Sequence, residues 1–542
     1  MSSTRSSISS ADRATAEHDS DHASRLSQRQ YLSWLVTVTA VGLAARLFYF
    51  RLTIGSDDQL WILSARQLFS ERVPDLSAAY YARIVWRVVL RLWGLPFGLS
   101  LESTAVLMFL LYVVAVCGVA HAARLAFGRE AAIVAAAVLA THPLNLLWDT
   151  TTLADGLGVA MLAVALALYV TYLRSDRLGA LAGAGILIGL TISVKEYLVL
   201  FALPCLLVLI VMRLAGRQTS WSPILTLVLA LVLAVGVDFA LDAIDAQPFA
   251  HWRAQAAYGD RILARAPPSP NATGIRLAAA LAVERAFYIQ TLFFDQVGTG
   301  LLMLWGLMAL CVRVRSNPVA AIVITTTGLF LGFLSLMPAK LHPLIFVEMQ
   351  SRYLTAVLPF TAIAAGVGVA TILRSLNEVG ERRALLIALA VIGGLNLVVP
   401  NSNWDTNRTV EFAGVRQSLV AARDRGLSEL VLPDTYLYLI PDRYYKYGAA
   451  LTFMTFSEPD KVRDYLRKDR RRALFLPRYG SEPWRLPGFD ESRRPSRLAE
   501  VLSTSQFDAE EVVVPHTPLR AWFALIGVQS DGQLVGYLYR VR

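Results

Sequence analysis

The chain has 542 residues, of which 55% are hydrophobic and 17% are charged, and its formal net charge is +10. Ordinary soluble proteins contain about 25% charged residues, so the composition argues against a soluble globular protein. Many basic residues lie in short loops between apolar runs, where membrane topology explains them better than nucleic-acid binding does. We therefore expect a lipid bilayer, and no nucleic acid, as a partner.

The apolar residues form about eleven runs, each close to the roughly 20 residues that cross the ~30 Å hydrocarbon layer as a helix. The predicted spans lie near residues 31–52, 103–123, 131–148, 154–173, 178–195, 197–213, 223–243, 297–314, 317–337, 353–373 and 384–400. The polar residues 1–30 are predicted to be a disordered cytoplasmic tail, and residues 31–400 a transmembrane domain. The first run starts too late, and is too long, for a cleavable signal peptide.

Arginines in the short loops predict the orientation. With the N-terminus in the cytoplasm, every inside loop carries at least two arginines, whereas the outside turn near Trp148–Thr152 has none. The inside loops are then Arg124–Arg129, Arg174–Arg177, Arg213–Arg217, Arg313–Arg315 and Arg374–Arg383. An odd number of spans places the C-terminal residues outside. Because arginine strongly outnumbers lysine, we expect a bacterial protein of the plasma (inner) membrane.

Two outside regions have a pattern of their own. The loop 53–100 contains two amphipathic stretches, Asp58–Phe69 and Tyr80–Leu92, which we predict to be interfacial helices lying flat on the membrane. In residues 401–542, which are charged and rich in Pro, Arg and Tyr, helix-like stretches alternate with short strand-like ones. The predicted fold is mainly α: a polytopic helical bundle with interfacial helices and a small C-terminal extracytoplasmic α/β domain.

The chain carries none of the Walker A, dinucleotide, HExxH or GxSxG motifs of soluble enzymes. Its informative residues are ionisable groups at membrane depth or at the outer rim, because such groups are costly there and usually functional. Asp57 and Asp58 directly follow the first span. A carboxylate at this place can take the proton from an acceptor hydroxyl. The alternative is that these residues cap the start of a helix.

Further candidates lie on the same side of the membrane. Arg83 can hold an anionic group such as a lipid phosphate, or contact lipid headgroups as an interfacial arginine. Asp155, at the outer end of the fourth span, is a site residue or a helix cap. Lys195, followed by Glu196 at the outer end of the fifth span, can contact phosphate. Its alternatives are an intramembrane ion pair and a lysine that extends to the interface.

The segment before the tenth span adds His342 and Arg352. Arg352 can clamp a phosphate with two hydrogen bonds, whereas His342 can assist it, bind an ion or belong to a charged outer loop. Asp238 and Asp242 share a helix face, but the ends of spans often carry solvated charge. Carboxylates and cations on one side of the membrane fit a reaction that deprotonates a hydroxyl and stabilises a departing phosphate.

The order of these features resembles the GT-C glycosyltransferases, in particular the family of protein mannosyltransferases and bacterial lipid A aminoarabinose transferases. Over about residues 31–375, the resemblance rests on Asp57-Asp58 and the two interfacial helices, and on the motifs His142-Pro-Leu-Asn-Leu-Leu-Trp148, Asp155-Gly156, Gly189-Leu-Thr-Ile-Ser-Val-Lys-Glu196 and Ser351-Arg-Tyr-Leu-Thr-Ala-Val-Leu-Pro359. The family often has Asp-Glu where this chain has Asp57-Asp58, and its Lys-Pro-Pro pattern is absent around Arg83.

The resemblance implies transfer of a sugar, with inversion, from a polyprenyl-phosphate donor to a hydroxyl of a glycan, lipid or protein acceptor on the extracytoplasmic face. It implies a base at Asp57 or Asp58 and phosphate contacts from Arg83, Lys195 or Arg352. Asp155, Glu196 and His342 complete the predicted substrate-binding set. Some relatives bind a divalent metal near their acidic residues, and Asp58 and Asp155 are the candidate ligands for one here.

Two other functions remain open. A transporter or flippase of lipid-linked sugars would carry paired charges near the midplane and broken helices in two related halves, whereas the candidate charges of this chain lie at the outer rim. A non-catalytic subunit for envelope assembly is the other alternative. Glycosyl transfer by the purified protein separates the three.

Overall fold

The computed structural model describes residues 26–48, 57–68, 83–99, 101–148, 153–217, 220–245, 286–295, 297–336, 338–340, 345–346, 351–376, 378–398, 407–433, 450–454, 459–477, 498, 501–502, 506–514 and 533–542. Within these ranges the chain is mainly helical up to residue 398, and a β-sheet with flanking helices follows.

The part of the chain before residue 400 is built from helices of very different lengths. In chain order they are α1 (Gln28–Phe48), α2 (Asp57–Arg66), α3 (Ile84–Phe97), α4 (Leu101–Phe127), α5 (Arg129–Thr141), α6 (Pro143–Trp148), α7 (Ala154–Ser175), α8 (Leu178–Leu190), α9 (Ala202–Leu214), α10 (Ser222–Ile244), α11 (Phe287–Ile289), α12 (Val297–Cys311), α13 (Pro318–Leu336), α14 (Leu358–Ser375) and α15 (Val379–Val398). Thr191–Ser193, Glu196–Phe201 and Ser351–Ala356 are 3-10 turns, and Gln290–Phe294 is a π-helix. Strands β1 (Pro338–Lys340) and β2 (Ile345–Phe346) pair antiparallel.

The chain is a multi-pass membrane protein. Six helices among the described residues are long and apolar enough to cross a bilayer, namely Ser103–Phe127, Ala154–Ser175, Glu196–Leu214, Ser222–Ile244, Pro318–Leu336 and Leu358–Ser375. The pair Phe287–Phe294 and Gly298–Cys311, bent by 102°, is a seventh if it is taken as one span. The remaining predicted spans coincide with α1, α5, α8 and α15, so a helix lies at each predicted position, and the count of eleven stays a prediction.

Two predicted spans are interrupted. The span predicted at 131–148 is divided at His142, which is extended (φ -62°, ψ 127°), because a residue that precedes proline is disfavoured in the helical region. The span predicted at 178–195 loses α-helical geometry at Leu190, and Lys195 is again extended (φ -156°, ψ 126°). The backbone therefore leaves the helical conformation at the predicted functional lysine.

Small residues bring the central helices together. Helix α14 packs against α5 and α12, and its residues from Leu358 to Ala370 are all buried. A Cβ atom on Gly366 would overlap the carbonyl oxygen of Ala131 in α5, and one on Gly306 of α12 would overlap that of Ala364. Van der Waals packing drives helix association in lipid, and the missing side chains allow the close backbone approach that this packing requires.

Helices α2 and α3 overlap the two predicted amphipathic stretches and pack against each other, although α3 continues to Phe97, beyond the predicted end at Leu92. Helix α3 buries Ile84, Trp86 and Leu90 against the protein, whereas Leu92 and Leu95 are exposed. A helix with one protein-facing and one exposed apolar surface suits the edge of a bilayer.

The C-terminal residues form a five-stranded sheet in the order β4-β3-β5-β7-β6. Its strands are β3 (Glu429–Pro433), β4 (Ala450–Met454), β5 (Arg472–Pro477), β6 (Phe507–Val514) and β7 (Gln533–Val541). Strands β4, β3 and β5 are parallel, and β7 is antiparallel to β5 and β6. Because strand side chains alternate between faces, Leu430 packs with helix α16 (Asn407–Asp424) and Val431 with helix α17 (Pro459–Arg467) on the other face.

Candidate active site

Several non-helical segments and helix ends meet at one end of the bundle. The turn Glu196–Phe201 follows Lys195, and the turn Ser351–Ala356 packs against the start of α7. Irregular backbone at membrane depth is tolerated only where it is buried in protein or lines a cavity. The interruptions at Lys195 and Arg352 therefore mark the place to look for a site.

The centre of this region is an ion pair between Lys195 and Asp155. The Lys195 ammonium donates a hydrogen bond to Oδ1 of Asp155, which lies in the first turn of α7. Both residues are buried, with 3% and 5% of their surface exposed. The structure thus shows an intramembrane ion pair, which is one of the alternatives given above for Lys195, and the partner is Asp155.

Two tyrosines surround the lysine. The Lys195 ammonium lies 4.4 Å from the ring centroid of Tyr353 and 6.0 Å from that of Tyr197. The Tyr197 hydroxyl donates a hydrogen bond of 3.3 Å to the backbone oxygen of Tyr353. Cation–π attraction adds to the ion pair in a desolvated setting. The tyrosine contact also ties the turn after Lys195 to the turn that carries Arg352.

Arg83 joins the cluster from the N-terminal end of α3. Its guanidinium donates to the backbone oxygen of Val194, directly before Lys195, and lies 5.6 Å from the ring of Trp61 in α2. The extended backbone at residue 195 is one reason why this carbonyl oxygen is available. Arg83 therefore makes protein contacts on both sides and connects α2 with the lysine turn.

Charge in the cluster is unbalanced. Lys195, Arg352 and Arg83 all interact electrostatically with Asp155, and both arginines repel Lys195. Among these four groups, three cations face one carboxylate. A partly buried group of cations of this kind favours an anionic ligand, and arginine in particular matches the geometry of phosphate.

Asp238 supports this arrangement from α10. Its carboxylate accepts a hydrogen bond from Ser193 Oγ, two residues before Lys195. Asp238 and Asp242 are both buried, so the expectation that these carboxylates are solvated at the end of a span is wrong. Buried carboxylates need partners, and Asp238 meets this need by holding the turn that presents the lysine.

The structure brings together four of the predicted site residues: Arg83, Asp155, Lys195 and Arg352. Glu196 is half-buried at the start of the following turn. Asp57 and Asp58 form the first two positions of α2, but their side chains and all of His342 lie outside the described residues. Tyr197 and Trp61 were not predicted as site residues, although an aromatic residue beside a membrane-embedded lysine is a usable signal.

The described residues do not assemble a metal site. No group of three or more His, Cys, Asp and Glu side chains is found within them, and Asp155, one of the two candidate ligands, is paired with Lys195. The donors among the described residues do not fit a divalent cation, and we derive no step through one.

Comparisons with known proteins agree with this architecture. Residues 84–238 match the family model for dolichyl-phosphate-mannose-protein mannosyltransferases. The match covers less than a third of the chain and includes Asp155, Lys195 and Asp238. No curated protein matches the chain by sequence.

Among solved structures, ArnT shows a likeness in fold. ArnT from Cupriavidus metallidurans bound to undecaprenyl phosphate has a TM-score of 0.50 and 15% identity, covering 94% of this chain and 98% of that one. The oligosaccharyltransferase AglB of Archaeoglobus fulgidus, in complex with an inhibitory peptide and a dolichol-phosphate, has a TM-score of 0.48 and 12% identity over 94% and 88% of the two chains.

A second structure of the Archaeoglobus fulgidus oligosaccharyltransferase, with zinc and sulfate, has a TM-score of 0.47 and 12% identity over 77% of this chain. The chain spans 62% of the length of that protein. The family match and the likeness in fold to ArnT therefore agree with a multi-pass membrane protein that resembles the GT-C glycosyltransferases. The resemblance to the GT-C glycosyltransferases that the motifs indicated is confirmed.

Proposed function

We propose that the chain is a membrane glycosyltransferase that moves a sugar from a polyprenyl-phosphate donor to a hydroxyl group of an acceptor. The observation that carries this proposal is the cluster in which Lys195, Arg83 and Arg352 face the single carboxylate of Asp155. The ArnT structure was determined with undecaprenyl phosphate, and a polyprenyl phosphate is the ligand class that such a cluster suits.

The proposed reaction gives different roles to the start of α2 and to the cationic cluster. Asp57 or Asp58, at the start of α2, removes the proton from the acceptor hydroxyl, and the oxygen attacks the anomeric carbon of the donor. The bond between that carbon and the phosphate oxygen breaks as the new glycosidic bond forms, which inverts the configuration. The lipid phosphate leaves with the bonding electrons, and the three cations stabilise its charge.

The contact between Trp61 and Arg83 supports this assignment of roles, because it links α2 to the cationic cluster. Residues three and four positions apart lie on one face of a helix, so the backbone positions of Asp57 and Asp58 lie one turn before Trp61 on its side of α2. Trp61 contacts Arg83. The backbone positions of Asp57 and Asp58 therefore lie on the face of α2 that contacts the cationic cluster.

The test is sugar transfer by the purified protein in lipid nanodiscs. Undecaprenyl phosphates carrying a labelled hexose, pentose or aminopentose serve as donors, and an envelope fraction from a strain lacking the protein supplies the acceptor. A positioned base contributes about 10²–10⁴-fold to the rate, so the double variant Asp57→Asn, Asp58→Asn should lose transfer by that factor and still bind undecaprenyl phosphate.

Lys195→Met should instead weaken the binding of undecaprenyl phosphate. The matched control is Asp176→Asn, at the opposite end of α7, where the left-handed backbone (φ 53°) also suits asparagine. It should leave both measurements unchanged. Full transfer activity in the double variant at Asp57 and Asp58 would contradict the proposed mechanism.

We further propose the membrane arrangement that the arginine pattern predicts: about eleven spans, a cytoplasmic N-terminus and an extracytoplasmic C-terminal α/β domain at residues 401–542, in a bacterial inner membrane. The acceptor is proposed to be a glycan, lipid or protein on the extracytoplasmic side. The described helix positions and the C-terminal sheet support this arrangement.

A further inference from the structure

Helix α10 presents carboxylates to two different parts of the candidate site. Asp238 and Asp242 lie in α10, and Asp245 directly follows its last residue. Their spacing of four and three residues places them on one side of the helix. Asp238 and Asp242 are buried, and the side chain of Asp245 is 6% exposed. Asp238 contacts the turn at Ser193. Asp245, seven residues later, contacts Arg87 of α3. One helix therefore reaches both the lysine turn and the interfacial helices.

The first contact fixes the segment that carries the donor-binding groups. Ser193 donates its hydroxyl hydrogen to Asp238, and the next two residues are Val194, whose carbonyl oxygen accepts from Arg83, and Lys195 itself. A 3-10 turn has poorer hydrogen-bond geometry than an α-helix. The contact with Asp238 supplies a side-chain restraint at the place where this backbone is least regular.

The second contact fixes α2. Arg87 is fully buried; its Nε and Nη2 donate to the backbone oxygen of Ser64 at 3.2 Å each, and its Nη1 donates to Asp245 Oδ2 at 2.6 Å. The last four carbonyl groups of a helix have no intrahelical partner. A guanidinium group at the C-terminal end of α2 satisfies one of them and complements the helix dipole.

Asp245 stabilises the contact between the Arg87 guanidinium and the backbone oxygen of Ser64. A buried guanidinium without a counter-charge is strongly destabilising, and the carboxylate of Asp245 provides that charge. Arg83 and Arg87 are four residues apart, so the same face of α3 contacts α2 twice, at Trp61 and at Ser64.

We propose that α10 positions both halves of the site: Asp238 holds the donor-phosphate half through Ser193, and Asp245 holds the base-bearing helix α2 through Arg87. Both are positioning residues, since they act through other groups. This inference rests on the proposed glycosyl transfer for its kinetic consequence. The expected effects on lipid binding and on amide exchange do not depend on turnover.

Two paired variants, each of which removes both members of one contact, test the two halves separately. In full-length protein in nanodiscs, Ser193→Ala with Asp238→Leu should raise the Kd for undecaprenyl phosphate about tenfold, the effect of 1.4 kcal/mol, and leave amide exchange in residues 61–66 unchanged. Arg87→Met with Asp245→Asn should speed that exchange about tenfold, by the same conversion, and leave the Kd unchanged.

The kinetics should divide in the same way. With a donor that the enzyme uses, the first pair should raise KM, because ground-state binding is weakened, and the second should lower kcat, because the base is misplaced. Asp245→Glu, which keeps the charge, should retain slow exchange in residues 61–66. Asp176→Asn is the control for all measurements.

Equal changes of both measurements in both paired variants would mean a general structural role and would overturn the division. Unchanged exchange in the Arg87→Met, Asp245→Asn protein would overturn the role of Asp245. The exchange and binding measurements need no turnover, so their outcome is separate from the failure of glycosyl transfer.

Discussion

Lys195 and Asp155 illustrate how one residue pair serves two purposes. Each charge would be costly alone at membrane depth, and their contact removes most of that cost. Since Arg83 and Arg352 also act on Asp155, one carboxylate compensates several cations only in part. The pair therefore stabilises the buried site and, in the proposed function, leaves the arginines to bind the phosphate of the donor.

Asp155→Asn should destabilise the protein, because it leaves Lys195 buried without its counter-charge. Breaking a buried pair from one side costs roughly 3–5 kcal/mol in soluble proteins. The double variant Asp155→Asn, Lys195→Met should recover thermal stability but not the binding of undecaprenyl phosphate. Melting of the protein in detergent and a binding titration test the two statements, and equal melting temperatures for all three proteins would contradict the first.

Glu429 is the second residue whose surroundings give a prediction. It accepts hydrogen bonds from Thr452, from Tyr465 at 2.8 Å and from Arg472 at 2.7 Å. Burial raises the pKa of this carboxyl group, but the hydrogen bonds and the charge of Arg472 outweigh burial, so the pKa lies below its ordinary value of 4.5. The ionised form therefore joins β3, β4, α17 and β5.

A depressed pKa fixes the sign of the pH dependence. The stabilisation by Glu429 is complete above the ordinary pKa of 4.5, which applies to the unfolded chain, and is lost as the pH falls through the lower folded pKa. Glu429→Gln should thus lower the urea midpoint of the sheet at pH 7 and have little effect below the folded pKa. Hydroxyl-radical footprinting of Leu430 and Phe475 follows the unfolding of the sheet. If the urea midpoints of the native protein and the variant differed equally at all pH values, ionisation of Glu429 would not be the origin of the stabilisation.

At the scale of elements, periodicity and apolar length predicted the positions of the helices well. Helices α2 and α3 lie close to the predicted amphipathic stretches. Four of the five C-terminal strands coincide with strand-like stretches of the sequence, at Leu430–Leu432, Ala473–Leu476, Glu511–Val514 and Val535–Arg540, whereas β4 was not predicted. Ala450–Met454 is an edge strand of five residues that pairs with β3 alone in the described sheet, and so short a segment offers little periodicity to detect. The break at His142 was also missed, although Pro143 gives a local reason for it. A break at Lys195 was expected between the fifth and sixth predicted spans, but the α-helix before it already ends at Leu190.

Gly366 provides a test of helix packing. Gly366→Ala would place a Cβ against the carbonyl oxygen of Ala131, which belongs to a rigid backbone. Overpacking costs about 1–3 kcal/mol, and we expect the melting temperature in detergent to fall. Gly328→Ala in α13 is the control, since no atom lies within 4 Å of the added Cβ. Equal stability of the two variants would argue against the close contact of α14 with α5.

For the molecule as a whole, the positions of the arginines predict which groups share a compartment. Ser316 lies in a predicted inside loop and Ser428 in the predicted outside domain, and both are exposed. In a protein without its three native cysteines, Ser428→Cys should react with an impermeant maleimide in intact cells, and Ser316→Cys only after permeabilisation. The reverse labelling would invert the orientation and contradict an extracytoplasmic site.

The candidate site was predictable in its charges but not in its contacts. Arg83, Asp155, Lys195 and Arg352 stood out because charged residues are rare in apolar surroundings. Their pairing, the support from Asp238 and the clamp of Arg87 on α2 join segments that are far apart in sequence. Such contacts depend on how helices pack, which hydropathy does not encode.

The turn at Lys195 also bears on how the chain enters the bilayer during synthesis. A lysine at the centre of a helix costs the insertion machinery about 2.5–3.5 kcal/mol, but near an end its side chain extends to the interface. Because the helix is interrupted at this residue, Leu178–Ser193 and Glu196–Leu214 can enter as two apolar segments. The Lys195 ammonium can then remain at the membrane surface until these segments pack against α7 and it contacts Asp155.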